Sequence, residues 1–135
     1  MLLLDTNAVL YFGQGEPMRP EALAEIEAAI VAGRALVSPV SAWEIGLLVR
    51  KRRLSLTLAP RNWFARFMAR SGVRLTPLSP EAAISSSFLP EPFHGDPADR
   101  MLVATARELG VPLVTRDAKI LAYAAATGEV QALAC

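Results

Sequence analysis

Asp5, Glu44, Asp99 and Asp117 are far apart in the chain, yet each stands where an apolar run yields to a turn or a helix begins. Asp5 ends the run Met1-Leu2-Leu3-Leu4, and Asp117 follows Val111-Pro112-Leu113-Val114-Thr115. Glu44 and Asp99 fall in the first turns of helices expected near 41–51 and 97–109. Carboxylates brought to one point repel one another unless they share protons or a hard cation. With one cysteine and one histidine in the chain, all-oxygen ligation suits Mg²⁺ or Mn²⁺ and disfavours structural zinc. Ions held this way activate water and neutralise charge during in-line attack on phosphorus. Thr6, Ser41 and Thr115 lie within three residues of an acid. Their hydroxyls could orient a carboxylate or a water.

Each acid also has a purely structural explanation. Asp5 or Thr6 could cap a short first helix, and Ser41-Ala42-Trp43-Glu44 matches a capping box. Asp96 is a good cap before Pro97, Asp99 sits at the third helical position, and Asp117 could cap the last helix. Four caps have no need to converge, whereas a metal site requires it. A doubly wound sheet binds ligands outside the carboxyl ends of its strands, and Asp5 and Asp117 directly follow strands. Asp99 precedes Leu102 by three residues and Ala106 by seven, which turns it inward on the helix.

The elements that must position these acids alternate along the chain. Residues 1–4, 35–37, 73–75, 112–115 and 129–133 read as short strands, the first buried on both faces. A short helix is expected from Asn7 to Gly13, and another over 20–32 with Leu23, Ile26 and Ile30 as its stripe. The helix of Glu44 runs into Arg50-Lys51-Arg52-Arg53. Helix 61–71 buries Trp63, Phe64, Phe67 and Met68 and exposes Arg66 and Arg70. Further helices are expected at 80–87, 97–109 (with Leu102, Ala106 and Leu109 buried) and 117–126, and 89–97 is a loop with three prolines. This predicts an α/β fold, a three-layer α/β/α sandwich around a parallel sheet of about five strands, forming one domain over 1–135.

Composition narrows the setting. The chain has 135 residues, 53% hydrophobic and 20% charged, enough for one globular core. Its formal charge of +1 gives no global pull toward nucleic acid or membrane. All of its 14 basic residues except Lys51 and Lys119 are arginine, a side chain that grips phosphate with two donors at once. The block Arg50, Lys51, Arg52 and Arg53 is therefore a candidate anion-binding patch, or simply a solvated helix end whose cations suit the macrodipole. No basic leader precedes the first leucines, no apolar run approaches a membrane span, and the only cysteine is Cys135. A cytoplasmic protein with no membrane association is expected.

Four segments together resemble a known family. They are Leu3-Leu4-Asp5-Thr6-Asn7, Ser41-Ala42-Trp43-Glu44-Ile45, His94-Gly95-Asp96-Pro97-Ala98-Asp99-Arg100 and Val114-Thr115-Arg116-Asp117. In order and spacing they resemble the PIN-domain ribonucleases, most closely the VapC-type toxins of prokaryotic toxin–antitoxin pairs. The resemblance covers nearly the whole chain. It implies a Mg²⁺- or Mn²⁺-dependent endoribonuclease, commonly a homodimer, restrained by a small cognate antitoxin protein. Asp5, Glu44, Asp99 and Asp117 match the family's acidic quartet as catalytic and metal-binding residues, with Thr6, Asp96 and Thr115 in support. Asp96 is either an accessory group or only the helix cap. Trp43 is expected in the core, not as a base-stacking platform. Relatives often carry a lysine shortly after the tryptophan–glutamate pair, where this chain has Leu47-Leu48. His94, the only histidine, is a candidate proton donor or a loop residue without a role.

Two other classes place an acid after a first strand. A haloacid-dehalogenase-like phosphatase needs a second aspartate where this chain has Asn7. A receiver domain binds Mg²⁺ without catalysing hydrolysis, but it lacks the His-x-Asp-Pro-x-Asp-Arg segment and spaces its acids differently. A PIN fold that only binds a partner is a third alternative, against which the complete quartet argues.

Overall fold

The computed structural model describes residues 1–93 and 95–135, so the expectation for His94 lies outside the described residues. Five strands form one parallel sheet: β1 (Leu2–Leu4), β2 (Ala35–Val37), β3 (Val73–Leu75), β4 (Leu113–Thr115) and β5 (Ala132–Ala134). Their order is β3-β2-β1-β4-β5. Leu2 pairs with Ala35 on one side of β1, and Leu3 with Leu113 on the other. The chain thus winds outward in both directions from β1, and the switch point falls between β1 and β4.

Successive strand residues point to opposite faces, and here both faces are covered. Leu2, Leu4, Ala35, Val37 and Val114 join one core with Val9, Ile26, Trp63 and Phe67. Leu3, Leu36 and Leu113 join the other with Leu102, Val103, Ile120 and Tyr123. That is why these strands read as continuous apolar runs without alternation. The first layer is built by α1 (Thr6–Gly13), α2 (Pro20–Val31) and α4 (Pro60–Met68). The second comes from α5 (Pro80–Ser85), a 3₁₀ turn at Ser86–Phe88, α6 (Pro97–Leu109) and α7 (Ala118–Thr127). Between them α3 (Pro39–Arg50) sends Val40 to one core and Ile45 to the other.

Several boundaries differ from the sequence expectation. The α3 helix begins at Pro39, and Ser38, not Ser41, caps it, its hydroxyl accepting the Val40 N–H at 3.1 Å. Proline suits the first helical position because it has no N–H to satisfy there, so the start moves upstream and the capping box is not formed. Trp43 is 57% exposed and not in the core. It borders an apolar groove of about 460 Å³ with Leu78, Pro97 and Met101. Leu109 is exposed, because α6 stops at Gly110, whose φ of 66° turns the chain into β4. In α2, Ala22, Ile26 and Ala29 form the buried stripe, while Leu23 and Ile30 stay half-buried at its sides. The α1 helix already starts at Thr6, and β5 lies at Ala132–Ala134 rather than 129–133.

Candidate active site

The site grows from the carboxyl ends of β1 and β4. Asp5 leaves β1 with its N–H bonded to the Val114 carbonyl at 2.9 Å, which fixes the turn into α1. Its side chain is 2% exposed. Oδ1 accepts the Thr6 N–H at 2.7 Å, capping α1, and Oδ2 accepts the Thr115 hydroxyl at 2.6 Å. The Thr115 oxygen in turn accepts the Asp117 N–H at 2.9 Å. Asp117 caps α7 through Oδ1, which accepts the Lys119 and Ile120 N–H groups at 2.8 and 3.0 Å. Capping therefore uses one oxygen of Asp117 and holds its carboxylate in place.

Glu44 arrives from α3. Ser41, one turn earlier, is fully buried and accepts a hydrogen bond from the Thr6 hydroxyl at 3.0 Å, locking α3 to the start of α1. Oε1 of Glu44 is buried without a hydrogen-bond partner. A carboxylate oxygen left so is costly unless something with positive charge meets it. From α6, Asp96 caps the helix by accepting the Asp99 N–H at 3.0 Å, and Asp99 stands half-buried one turn in. Carboxylate oxygens of Glu44, Asp96 and Asp99 lie within 4.8 Å of one another.

The acids feel each other electrically. Burial raises Asp5 from 3.8 to about 6, offset in part by its bonds from Thr115 and Thr6, and the charges of Glu44 and Asp117 add to the rise. Burial also raises Asp99 to about 8, reinforced by Asp5, Asp96, Asp117 and Glu44. Glu44 is raised by burial, relieved by the nearby Thr6 hydroxyl, and pushed further by Asp96 and Asp117. All four acids expected from the sequence thus share one electrostatic site, with Asp96 as a fifth. Asp96 caps α6 and also places its carboxylate within 4.8 Å of those of Glu44 and Asp99. The Asp-Pro pair that marked it as a helix start gave no hint of that second position.

The donor set consists of oxygens, one of them orphaned, and burial together with mutual repulsion raises the pKa values of Asp5, Glu44 and Asp99. That fits a hard divalent cation, which Glu44, Asp96 and Asp99 could hold with Asp5 and Asp117 beside them. Asn7, at the position where a phosphatase of the dehalogenase type needs an aspartate, accepts the Arg116 N–H at 3.0 Å and serves the turn after β4. The basic block leaves the far end of α3. Arg50 lies six residues beyond Glu44, about 9 Å along the axis, and residues 50–53 are exposed. Arg100 does structural work, donating to the Ser86 and Phe93 carbonyls at 2.8 and 3.3 Å and so holding the segment before α6.

Known proteins agree with this geometry. The PIN domain family model matches residues 2–126. Ribonuclease VapC22 of Mycobacterium tuberculosis is 33% identical over 122 residues, 90% of this chain and 91% of that protein. Among solved structures, VapBC2 from Rickettsia felis, bound to a promoter DNA fragment, superposes with a TM-score of 0.68 at 14% identity, covering 98% and 97% of the two chains. A toxin–antitoxin complex from Klebsiella pneumoniae gives 0.59 at 23% identity over 88% of each. Fold, motif order and whole-length similarity coincide: the chain belongs to the PIN-domain family, among its VapC-type members.

Proposed function

We propose that this protein is a divalent-metal-dependent endoribonuclease, the toxin half of a type II toxin–antitoxin pair. One observation carries the reading: five carboxylates from four chain segments converge, and the buried Oε1 of Glu44 has no partner. Caps alone do not explain an orphaned oxygen. The relative VapC22 is named a ribonuclease, and the Klebsiella structure is a toxin–antitoxin complex. The first name supports RNA as substrate, and the second supports an antitoxin as partner.

In this reading Asp5, Glu44 and Asp99 are the main ligands, Asp117 completes the centre, and Asp96 joins through the group it forms with Glu44 and Asp99. The ion is Mg²⁺ or Mn²⁺, and when bound it supplies an activated water and offsets charge at phosphorus. The chain's own residues do the rest. Thr115 fixes the Asp5 carboxylate, and Thr6 and Ser41 fix the approach of α3. Arg50, Lys51, Arg52 and Arg53 grip the RNA backbone. The P–O3′ bond breaks, leaving a 5′-phosphate and a 3′-hydroxyl. The protein works in the cytoplasm as a homodimer.

The test is incubation of the purified chain with mixed RNA species, with Mg²⁺ or Mn²⁺ and then with chelator. Discrete metal-dependent cuts carrying 5′-phosphate are expected. Intact RNA under every metal condition would overturn the proposal.

A further inference from the structure

On the first helical layer, away from the acids, a cavity of about 350 Å³ opens between the end of α1, residues 57–58 and α4. Trp63 and Phe67 line it with stacked rings 5.7 Å apart, and Arg66 and Arg70 supply its charge. Arg70 lies against two rings, 5.2 Å from the centre of Phe12 and 5.3 Å from that of Phe67. Such contacts orient a guanidinium while leaving its N–H edge available. Among the described residues no carboxylate pairs with either arginine. Two like charges on one wall with no counter-ion repel each other, and an anion between them removes that cost.

The charge is also laid out along a path. Tyr11 and Phe12 are neighbours near the end of α1, and each ring carries a guanidinium: Arg116, 4.1 Å from the Tyr11 centre, and Arg70. Arg116 lies between Thr115 and Asp117 in the chain, and its Nη1 also donates to the Cys135 carbonyl at 3.0 Å. The eight residues of α1 lead from Thr6, beside Asp5, to Gly13 at the cavity, about 12 Å of helix. A nucleic-acid strand held at the acids would have to span about that distance to meet Arg66 and Arg70. Guanidinium forks match phosphate oxygens with two donors.

We propose that Arg66 and Arg70 form a phosphate subsite for the RNA strand, removed from the bond that is cut. The inference rests on the ribonuclease reading and adds a second anchoring point, at and just beyond α4 and apart from the 50–53 block.

The test measures binding of a fluorescent single-stranded 12-nucleotide RNA in chelator, where nothing is cut, over a range of KCl concentrations. Wild type is compared with the doubly substituted proteins Arg66→Gln/Arg70→Gln and Arg66→Lys/Arg70→Lys, and cleavage with Mg²⁺ is followed in parallel. Each lost phosphate contact lowers the slope of log affinity against log salt by about 0.7. The glutamine protein should lose about 0.7–1.4 of slope and bind about tenfold more weakly at 50 mM salt, while the lysine protein keeps the wild-type slope. Unchanged slope and affinity in the glutamine protein overturn the subsite and leave the nuclease reading standing. Equal losses in the lysine protein assign the effect to packing and overturn it too. A wild-type chain that neither binds nor cuts RNA removes both.

Discussion

The Thr115 hydroxyl donates to Asp5 Oδ2 at 2.6 Å while its oxygen accepts the Asp117 N–H at 2.9 Å. One side chain at the end of β4 thus aligns the acid that ends β1 with the acid that opens α7. Thr115 is completely buried, so no water can replace it.

Thr115→Val keeps the shape and removes both bonds. Asp5 loses the larger of the two hydrogen bonds that lower its pKa, so its ionisation moves to higher pH. The acid limb of the pH–rate profile should shift upward, and stability should fall by about 1–3 kcal/mol. A profile that superposes on wild type would show that Thr115 does not tune Asp5.

Metal-free protein should become less stable as pH rises. Asp5 and Asp99 hold their protons more tightly when folded, at about 6 and about 8, than their ordinary value of 3.8. The unfolded chain therefore binds fewer protons, and stability drops between pH 4 and 8. For Asp5 the ceiling is about 3 kcal/mol. Mg²⁺ should restore the loss at pH 8 and do little at pH 4. Melting curves in chelator and in Mg²⁺ at the two pH values read this directly, and a metal-free melting temperature that climbs from pH 4 to 8 would contradict it.

Asp99→Asn separates function from stability. Cleavage should fall by at least about 100-fold, as when a group stabilising the transition state is lost, yet the metal-free protein should melt higher at pH 8, because a repelled buried charge is gone. Asp96→Ala, by contrast, loses the cap of α6 and should cost about 1 kcal/mol. If Asp99→Asn cuts RNA at the wild-type rate, the assignment of Asp99 fails.

Two serines of α3 should behave differently. Ser38→Ala removes the helix cap and should cost about 1 kcal/mol with cleavage per folded molecule unchanged. Ser41→Ala takes the acceptor from the Thr6 hydroxyl and should cost a similar amount, but cleavage should fall as well, since that bond sets how α3 meets α1. Parallel urea melts and rate measurements distinguish the two.

The strands and the four acids were legible because both signals are local. Leu2-Leu3-Leu4 is the short continuous apolar run expected of a strand buried on both sides, and an acid at its end stands out. The start of α3 was misread because Ser38-Pro39 and Ser41–Glu44 offer two start signals one turn apart. Local chemistry cannot rank them when the second serine is needed inside the fold. Trp43 was placed in the core on its apolar character alone, but its neighbours on α3 send Val40 and Ile45 inward and leave it outside. The grouping of Asp96 with Glu44 depends on how α3 packs against α6, a contact between segments some fifty residues apart that no motif encodes.

The adjacency of β1 and β4 has a consequence for the cell that makes this protein. The bond joining Asp5 to Thr115 spans 110 residues, and the acids of α6 come from the last third of the chain. While the ribosome is still making the first two thirds, the growing chain carries Asp5 and Glu44 but nothing to pair them with. The acid cluster therefore cannot assemble until Asp96, Asp99 and Asp117 have been made.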